Sequence, residues 1–249
     1  MAIHATDAIV LRRYPYRETS VTVSCLSNQF GKLKGLIKGL RVQPNRHRSA
    51  MEPMTVNRII FYDTAESQLH LISHCELLHP MAGLSRDMET FCVAAHCVEV
   101  AEAVAPLEEP QPEAYHLLQR TLDRLSAGWG EPMSLQIHFI ARLLRLAGFQ
   151  PQLDECTGCG IQGVAAGYWS ARHGGLLCQR CLHHDLDAEP APLQLLQTLG
   201  HLATAQDPES FEPLLAEQVR RYLDDFLGWR LAKPLKTLRL GIRPMAQHA

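Results

Sequence analysis

Hydrophobic positions alternate with polar ones over the first eighty residues, and then the period changes. Val21, Val23 and Cys25 alternate with Thr22 and Ser24. After a turn at Ser27-Asn28-Gln29-Phe30-Gly31, Leu33, Gly35 and Ile37 alternate with Lys32, Lys34, Leu36 and Lys38. A repeat of two assigns each set to one face of a strand, so the three lysines are predicted on the solvent side. Three strand-like runs therefore fill residues 8–40. Residues 41–53 hold two prolines and several cations and read as a mobile basic loop. Residues 55–62 are β-branched and aromatic, 63–66 read as a turn, and 68–74 alternate through Leu69, Leu71 and Ser73. About five strands with no long helix predict a small closed Greek-key barrel of the OB type, although an SH3-like barrel gives the same periodicity.

Beyond His79-Pro80 the spacing becomes helical. Residues 86–105 repeat through Phe91, Ala94, Ala95, Val98, Ala101 and Glu102, and a Pro-rich break follows at 106–112. Further helices are predicted at 114–125, 132–147, 193–205 and 212–231. Pro132 suits a first helical turn and Gly148 a helix end. The fold class is α+β: an OB-fold barrel over 1–80, then a helical domain over 81–249 with an insertion at 153–186.

That insertion carries Cys156-Thr157-Gly158-Cys159 and Cys178-Gln179-Arg180-Cys181, with 18 residues between the knuckles. Zinc takes four soft ligands in a tetrahedron, and each Cys-x-x-Cys turn delivers two thiolates to one side of the ion. Cys156, Cys159, Cys178 and Cys181 are the predicted ligands of one structural Zn2+, with 165–170 and 174–177 as the hairpin of a zinc ribbon. Four thiolates leave no open position for water, so a catalytic metal is not expected. Gly158-Cys159-Gly160-Ile161-Gln162-Gly163 also fits G-x-G-x-x-G, but a dinucleotide fingerprint needs a strand before it and a helix after it. Cys25, Cys75, Cys92 and Cys97 are scattered and read as small buried hydrophobes.

Charge sharpens the picture. The formal net charge is −2, yet residues 1–60 hold ten Lys and Arg against three Asp and Glu, a net of +7. A cationic segment on a barrel favours a polyanion, and Arg12, Arg13, Arg17, Lys32, Lys34, Lys38, Arg41, Arg46 and Arg48 are the candidate phosphate contacts. Tyr14, Tyr16 and Phe30 are candidates for stacking on bases. No Walker A, G-x-S-x-G or H-E-x-x-H sequence is present, so nothing points to an enzyme. Sparse cysteines and the absence of a secretory pattern or membrane span predict a cytoplasmic protein.

Residues 8–41, AIVLRRYPYRETSVTVSCLSNQFGKLKGLIKGLR, resemble the N-terminal signature of the bacterial RecO family of recombination mediators. The likeness continues through Leu143-Leu144-Arg145-Leu146-Ala147-Gly148-Phe149-Gln150-Pro151, the two cysteine knuckles, and Lys233-Pro234-Leu235-Lys236-Thr237. The resemblance implies an OB-fold, a helical C-terminal domain and a zinc ribbon set into it. It implies a non-enzymatic, nucleoid-associated protein of DNA repair that binds single- and double-stranded DNA and anneals complementary strands. It further implies that RecR and single-strand-binding protein are partners and that RecA is loaded with their help. Arg220, Arg221, Lys233 and Lys236 are candidates for receiving an acidic, aromatic-ended peptide such as the tail of single-strand-binding protein. The competing expectation is an RNA-binding or ribosome-associated OB-fold protein with a ribbon.

Overall fold

The structure is a computed structural model that describes residues 2–42, 49–63, 68–164 and 167–240, with the side chains of 239 and 240 outside the description. Residues 43–48 of the expected basic loop, including Arg46 and Arg48, and the turn over 64–66 lie outside the described residues. The chain divides into two compact units, Met1–Trp129 and Gly130–Ala249. The first unit extends past the expected boundary at residue 80, because two helices pack with the barrel.

Five strands form that barrel: β1 (Ile3–Tyr16), β2 (Ser20–Ser27), β3 (Gly31–Ile37), β4 (Val56–Tyr62) and β5 (Leu69–His79). They close in the order β1-β2-β3-β5-β4, with β4 returning to β1. β3 and β5 run parallel and every other pair is antiparallel. This placement of β5 between β3 and β4 is the Greek-key order of an OB barrel, which periodicity alone left open. Val10, Val21, Val23, Leu33, Ile37 and Phe61 are among the side chains that fill the interior. On β3 the expected faces appear: Leu33, Gly35 and Ile37 point inward, while Lys34 is exposed and Lys32 half-buried.

β5 departs from the sequence reading. It continues to His79, and His70 and Ile72, not Leu69 and Leu71, face inward. β5 itself is bulged against β4, with Leu78 the extra residue opposite Val56/Asn57 and Ser73 the extra residue opposite Ile60/Phe61. A bulge shifts side-chain parity, so one strand presents Ile72 and Cys75 to the same interior and a period-two search loses the pattern.

Two helices complete this unit, α1 (Met88–Val104) and α2 (Pro112–Ala127). Asp87 caps α1 by accepting hydrogen bonds from the Thr90 backbone N–H (2.7 Å) and hydroxyl (2.9 Å). α1 is buried on nearly all sides, as a core helix should be when it is apolar all round. Ala94, Val98 and Ala101 are inside as expected, but Phe91 is 44% exposed. The four scattered cysteines are buried, and burial pushes the Cys25 and Cys97 thiols up and Cys75 to about 12.

The Pro-rich break after α1 is a strap, not only a linker. The Glu108 N–H donates to the Lys32 carbonyl at 2.9 Å, and Leu107 bridges to Lys32 in parallel fashion. The strap passes so near that a Cβ on Gly31 would lie 1.9 Å from the Glu109 carbonyl oxygen.

The second unit stacks α3 (Pro132–Leu146), α4 (Leu193–Thr204) and α5 (Pro213–Arg230) with a four-stranded sheet. The sheet holds β6 (Gln152–Cys156), β7 (Gly167–Ser170), β8 (Gly175–Leu177) and β9 (Glu189–Ala191) in the order β6-β8-β7-β9. Gly148 ends α3 at φ 71°, where the Phe149 N–H returns to the Leu144 carbonyl at 2.8 Å. Trp169 of β7 lies between the elements, its ring 5.0 Å from Tyr222 and 6.1 Å from Phe226 of α5. Among the described residues no helix is long and apolar enough to cross a membrane.

Gly31→Ala is expected to destabilise the protein by more than about 1 kcal/mol, since it adds a backbone collision to a positive-φ penalty. Gly39→Ala shares the positive φ (76°) but meets nothing within 4 Å, and should cost less. Urea unfolding of both variants measures the difference; equal losses would mean that the strap does not hold the turn.

Candidate metal centre and nucleic-acid interface

The four cysteines converge. Cys156 ends β6 and Cys159 follows in its turn; Cys178 follows β8 and Cys181 sits in the 3₁₀ helix Gln179–His184. Their sulfurs all lie within 4.8 Å of one another, and those of Cys159 and Cys178 are 3.8 Å apart. An ideal tetrahedron with metal–sulfur bonds near 2.3 Å has edges of about 3.8 Å, so the donor set fits one metal ion. Burial works to raise the Cys156 thiol, but backbone N–H donors from Cys178, Gly158 and Cys159 outweigh it and hold it near 6. Cys181 goes the other way, to about 12, through burial and the protons it shares with the other three sulfurs. An arriving cation must therefore displace protons, chiefly at Cys181.

Glycine spacing in the knuckle has its own cause. A Cβ on Gly158 would press to 3.0 Å from the Cys181 Cβ, and Gly160 turns the chain at φ 71°. These glycines of the G-x-G-x-x-G match serve the cysteine turn, and the β7–β8 hairpin follows it.

In the first unit the structure sorts the expected phosphate contacts by their surroundings. Arg12 reaches Glu99 of α1 at 3.4 Å and donates to the Tyr14 hydroxyl at 3.1 Å. Lys32 donates to the Glu102 carbonyl oxygen at 2.6 Å, while the Glu102 carboxylate accepts from Ser24 at 2.6 Å. Half-burial lowers the Lys32 pKa, and Glu102 opposes that shift. Arg13 lies 3.5 Å from the exposed Glu52. Arg58, a cation of the same segment, is held by both carboxylate oxygens of Asp7 at 2.8 and 3.1 Å.

Arg17, Lys34, Lys38 and Arg41 remain exposed. Arg17 occupies the β1–β2 turn at φ 52°, and Arg41 donates to its carbonyl at 3.0 Å. The Arg41 N–H also donates to Thr19, so the end of β3 and the β1–β2 turn gather three of these cations. Tyr14 and Tyr16 stand beside them, 48% and 37% exposed, with the Arg17 guanidinium 5.4 Å from the Tyr16 ring centroid. Phe30 is elsewhere: it packs edge-on to Phe61 at 5.3 Å and against His4 at 4.9 Å, as part of the barrel's apolar rim.

Among the candidate peptide contacts, Arg220 is bound to Glu217 (2.6 Å) and Asp224 (2.5 Å), and Arg221 to Glu189 (2.8 Å). Lys233 and Lys236 are exposed beyond α5. A cleft of about 230 Å3 in the second unit is lined by Arg145, Leu153, Asp154, Leu199 and Leu223 among others. Sequence reading did not single out Arg145 as a site; its only signal was a cation closing an apolar helix just before a turn.

Residues 1–81 match the family described as Recombination protein O N terminal, and 85–239 match Recombination protein O C terminal. A DNA repair protein RecO of Desulforudis audaxviator is 33% identical over 203 residues, covering 81% of this chain and 80% of its own. Those of Geobacter metallireducens and Myxococcus xanthus are 28% and 29% identical; the alignments cover 94% and 93% of this chain and 94% of each relative. With both halves matched in order, a closed five-stranded barrel and converging cysteines, the chain belongs to the RecO family of DNA repair proteins.

Proposed function

We propose that this chain is a non-enzymatic recombination mediator that holds single- and double-stranded DNA on its barrel and anneals complementary strands. The observation that carries the reading is the group Arg17, Lys38 and Arg41 beside two exposed tyrosines, with Lys34 on the adjoining sheet. Cations on a rigid barrel grip phosphates without reading sequence, and tyrosine faces add stacking on unpaired bases. Holding two strands on one cationic surface lowers the repulsion that opposes annealing. With RecR and single-strand-binding protein the complex would help load RecA. The cysteine centre would hold one structural Zn2+, worth on the order of 10 kcal/mol to a module with little apolar core. For the acidic tail of single-strand-binding protein, Lys233 and Lys236 are the proposed contacts. Arg145 adds a cation at an apolar cleft.

If the four exposed cations each take one phosphate, log affinity for single strands should fall against log salt with a slope of about −3. Combined Arg17→Glu, Lys38→Glu and Arg41→Glu substitutions should flatten that slope by about 2 and abolish annealing of coated DNA. Lys32→Ala should leave the slope unchanged and lower stability. Equal annealing of RNA, or a slope untouched by the triple variant, would favour the RNA-binding alternative or a different surface.

Metal content is a separate test. The purified chain should carry one equivalent of zinc, and chelation should open residues 152–191 to protease. Cys156→Ser should do the same. Acidification should speed metal release, since protons compete with the metal for the four thiolates. A chain that keeps its protease resistance without metal would refute the structural role.

Tail binding is checked by peptide titration. Arg145→Glu and the pair Lys233→Glu, Lys236→Glu should each weaken an acidic aromatic-ended peptide several-fold. Whichever leaves affinity unchanged drops out of the site.

A further inference from the structure

We propose that Trp229, with Arg172 and Arg230 beside it, forms a stacking platform for one base of single-stranded DNA in the second unit. Trp229 is the penultimate residue of α5. It follows Phe226 by three positions, which continues the apolar stripe of the helix, where a tryptophan is expected to be covered. It is instead 62% exposed.

Its neighbours are cations. The Arg172 guanidinium, from the β7–β8 turn, lies 5.9 Å from the indole centroid. Arg230 stands 5.3 Å over the Phe226 ring and directly above Gly174, where a Cβ would come within 1.5 Å of its Nη2. Gly174 at φ 80° is thus the residue that lets the turn close under Arg230. Turn and helix end are docked, and this fixes Arg172, Trp229 and Arg230 relative to one another. Among the described residues neither guanidinium has a carboxylate within ion-pair distance. That contrasts with Arg220 and Arg221 on the same helix, which are both paired. No Asp or Glu occurs after Asp225, and Lys233 adds a further exposed cation.

An open indole with one guanidinium near its ring and a second on the next residue of the helix matches a ligand that is planar, apolar on its face and anionic at its edge. A nucleotide of an unpaired strand is such a ligand: the base lies on the indole and its phosphates meet the two arginines. Duplex DNA offers no free base face and gains only the charge contact. Trp129 supplies a built-in comparison. It is 73% exposed, yet no cation lies over its ring among the described residues.

This inference rests on the proposed DNA-binding function, so the experiment separates the two. The full metal-loaded chain is titrated with a thymidine oligonucleotide and with an abasic strand of the same length. Trp229→Ala should weaken the thymidine strand by about tenfold. It should leave the abasic strand unchanged, with zinc content and helicity as in the parent. Trp229→Phe should restore most of the loss, Trp129→Ala should have no effect, and Arg172→Ala should flatten the salt slope by about 0.7. Normal thymidine affinity in Trp229→Ala, alongside a loss in the triple barrel variant, overturns the platform and leaves the mediator reading standing. Equal loss on both strands also overturns it, since stacking needs the base. No binding by the parent chain to either strand removes both. Loss of a protein partner with DNA affinity intact would mark Trp229 as a protein contact and overturn the proposal.

Discussion

Barrel closure rests on the shortest seam in the sheet. β3 and β5 pair over Lys34–Leu36 against Leu69–Leu71 and nowhere else. The first residues of β3 would otherwise present open N–H and C=O groups, an invitation to pair with another chain. The strap after α1 takes that edge, with Glu108 donating to Lys32 and Gly31 yielding the space. From the other side, Lys32 reaches α1 through the Glu102 carbonyl. One lysine thus joins the seam, the strap and the helix, and its charge belongs to the architecture.

That constraint decides which cations remain available to a phosphate. Separating an exposed pair such as Arg13 and Glu52 costs about 0–1 kcal/mol, and a phosphate can replace the carboxylate. Arg12 differs, because the Glu99 side chain is only 10% exposed. Drawing Arg12 away would take a cation from a nearly buried carboxylate, which costs more than separating an exposed pair. Among the described residues Arg17, Lys34, Lys38 and Arg41 carry no such obligation to a buried partner. The net +7 of residues 1–60 therefore overstates the field that a DNA strand would meet on the proposed surface, a patch at one end of the barrel.

Much of this was legible in the chain. Alternation located β2 and β3, strand-like composition located β1 and β4, and proline and glycine marked the ends of α3. The knuckle spacing foretold the convergence of the four cysteines, because a Cys-x-x-Cys turn is a local geometry. What stayed hidden depends on partners distant in sequence. Its own bulges concealed the inward face of β5. α1 supplies the Glu99 carboxylate and the Glu102 backbone carbonyl, roughly seventy to ninety residues from the cations they meet. No window along residues 8–40 could reveal that Arg12 and Lys32 lie under a helix. Phe30 looked like a stacking ring in a turn, yet it closes an apolar rim with Phe61 and His4.

In the second unit the consequence of the cysteine centre is positional. A four-thiolate shell has no open site and performs no chemistry of its own. The apolar core around it is small, with Leu177 as its one fully buried aliphatic side chain, so the segment depends on the sulfurs for its shape. The β7–β8 turn lies between the two knuckles in sequence and carries Arg172 on one side and Gly174 on the other. Gly174 receives Arg230, and Trp169 anchors β7 on the rings of Tyr222 and Phe226. Knuckles, hairpin and helix end form one chain of contacts. Loosening the sulfurs would therefore move a guanidinium that lies beside an exposed indole. A metal held by the four sulfurs would in this way govern the proposed stacking surface without touching it.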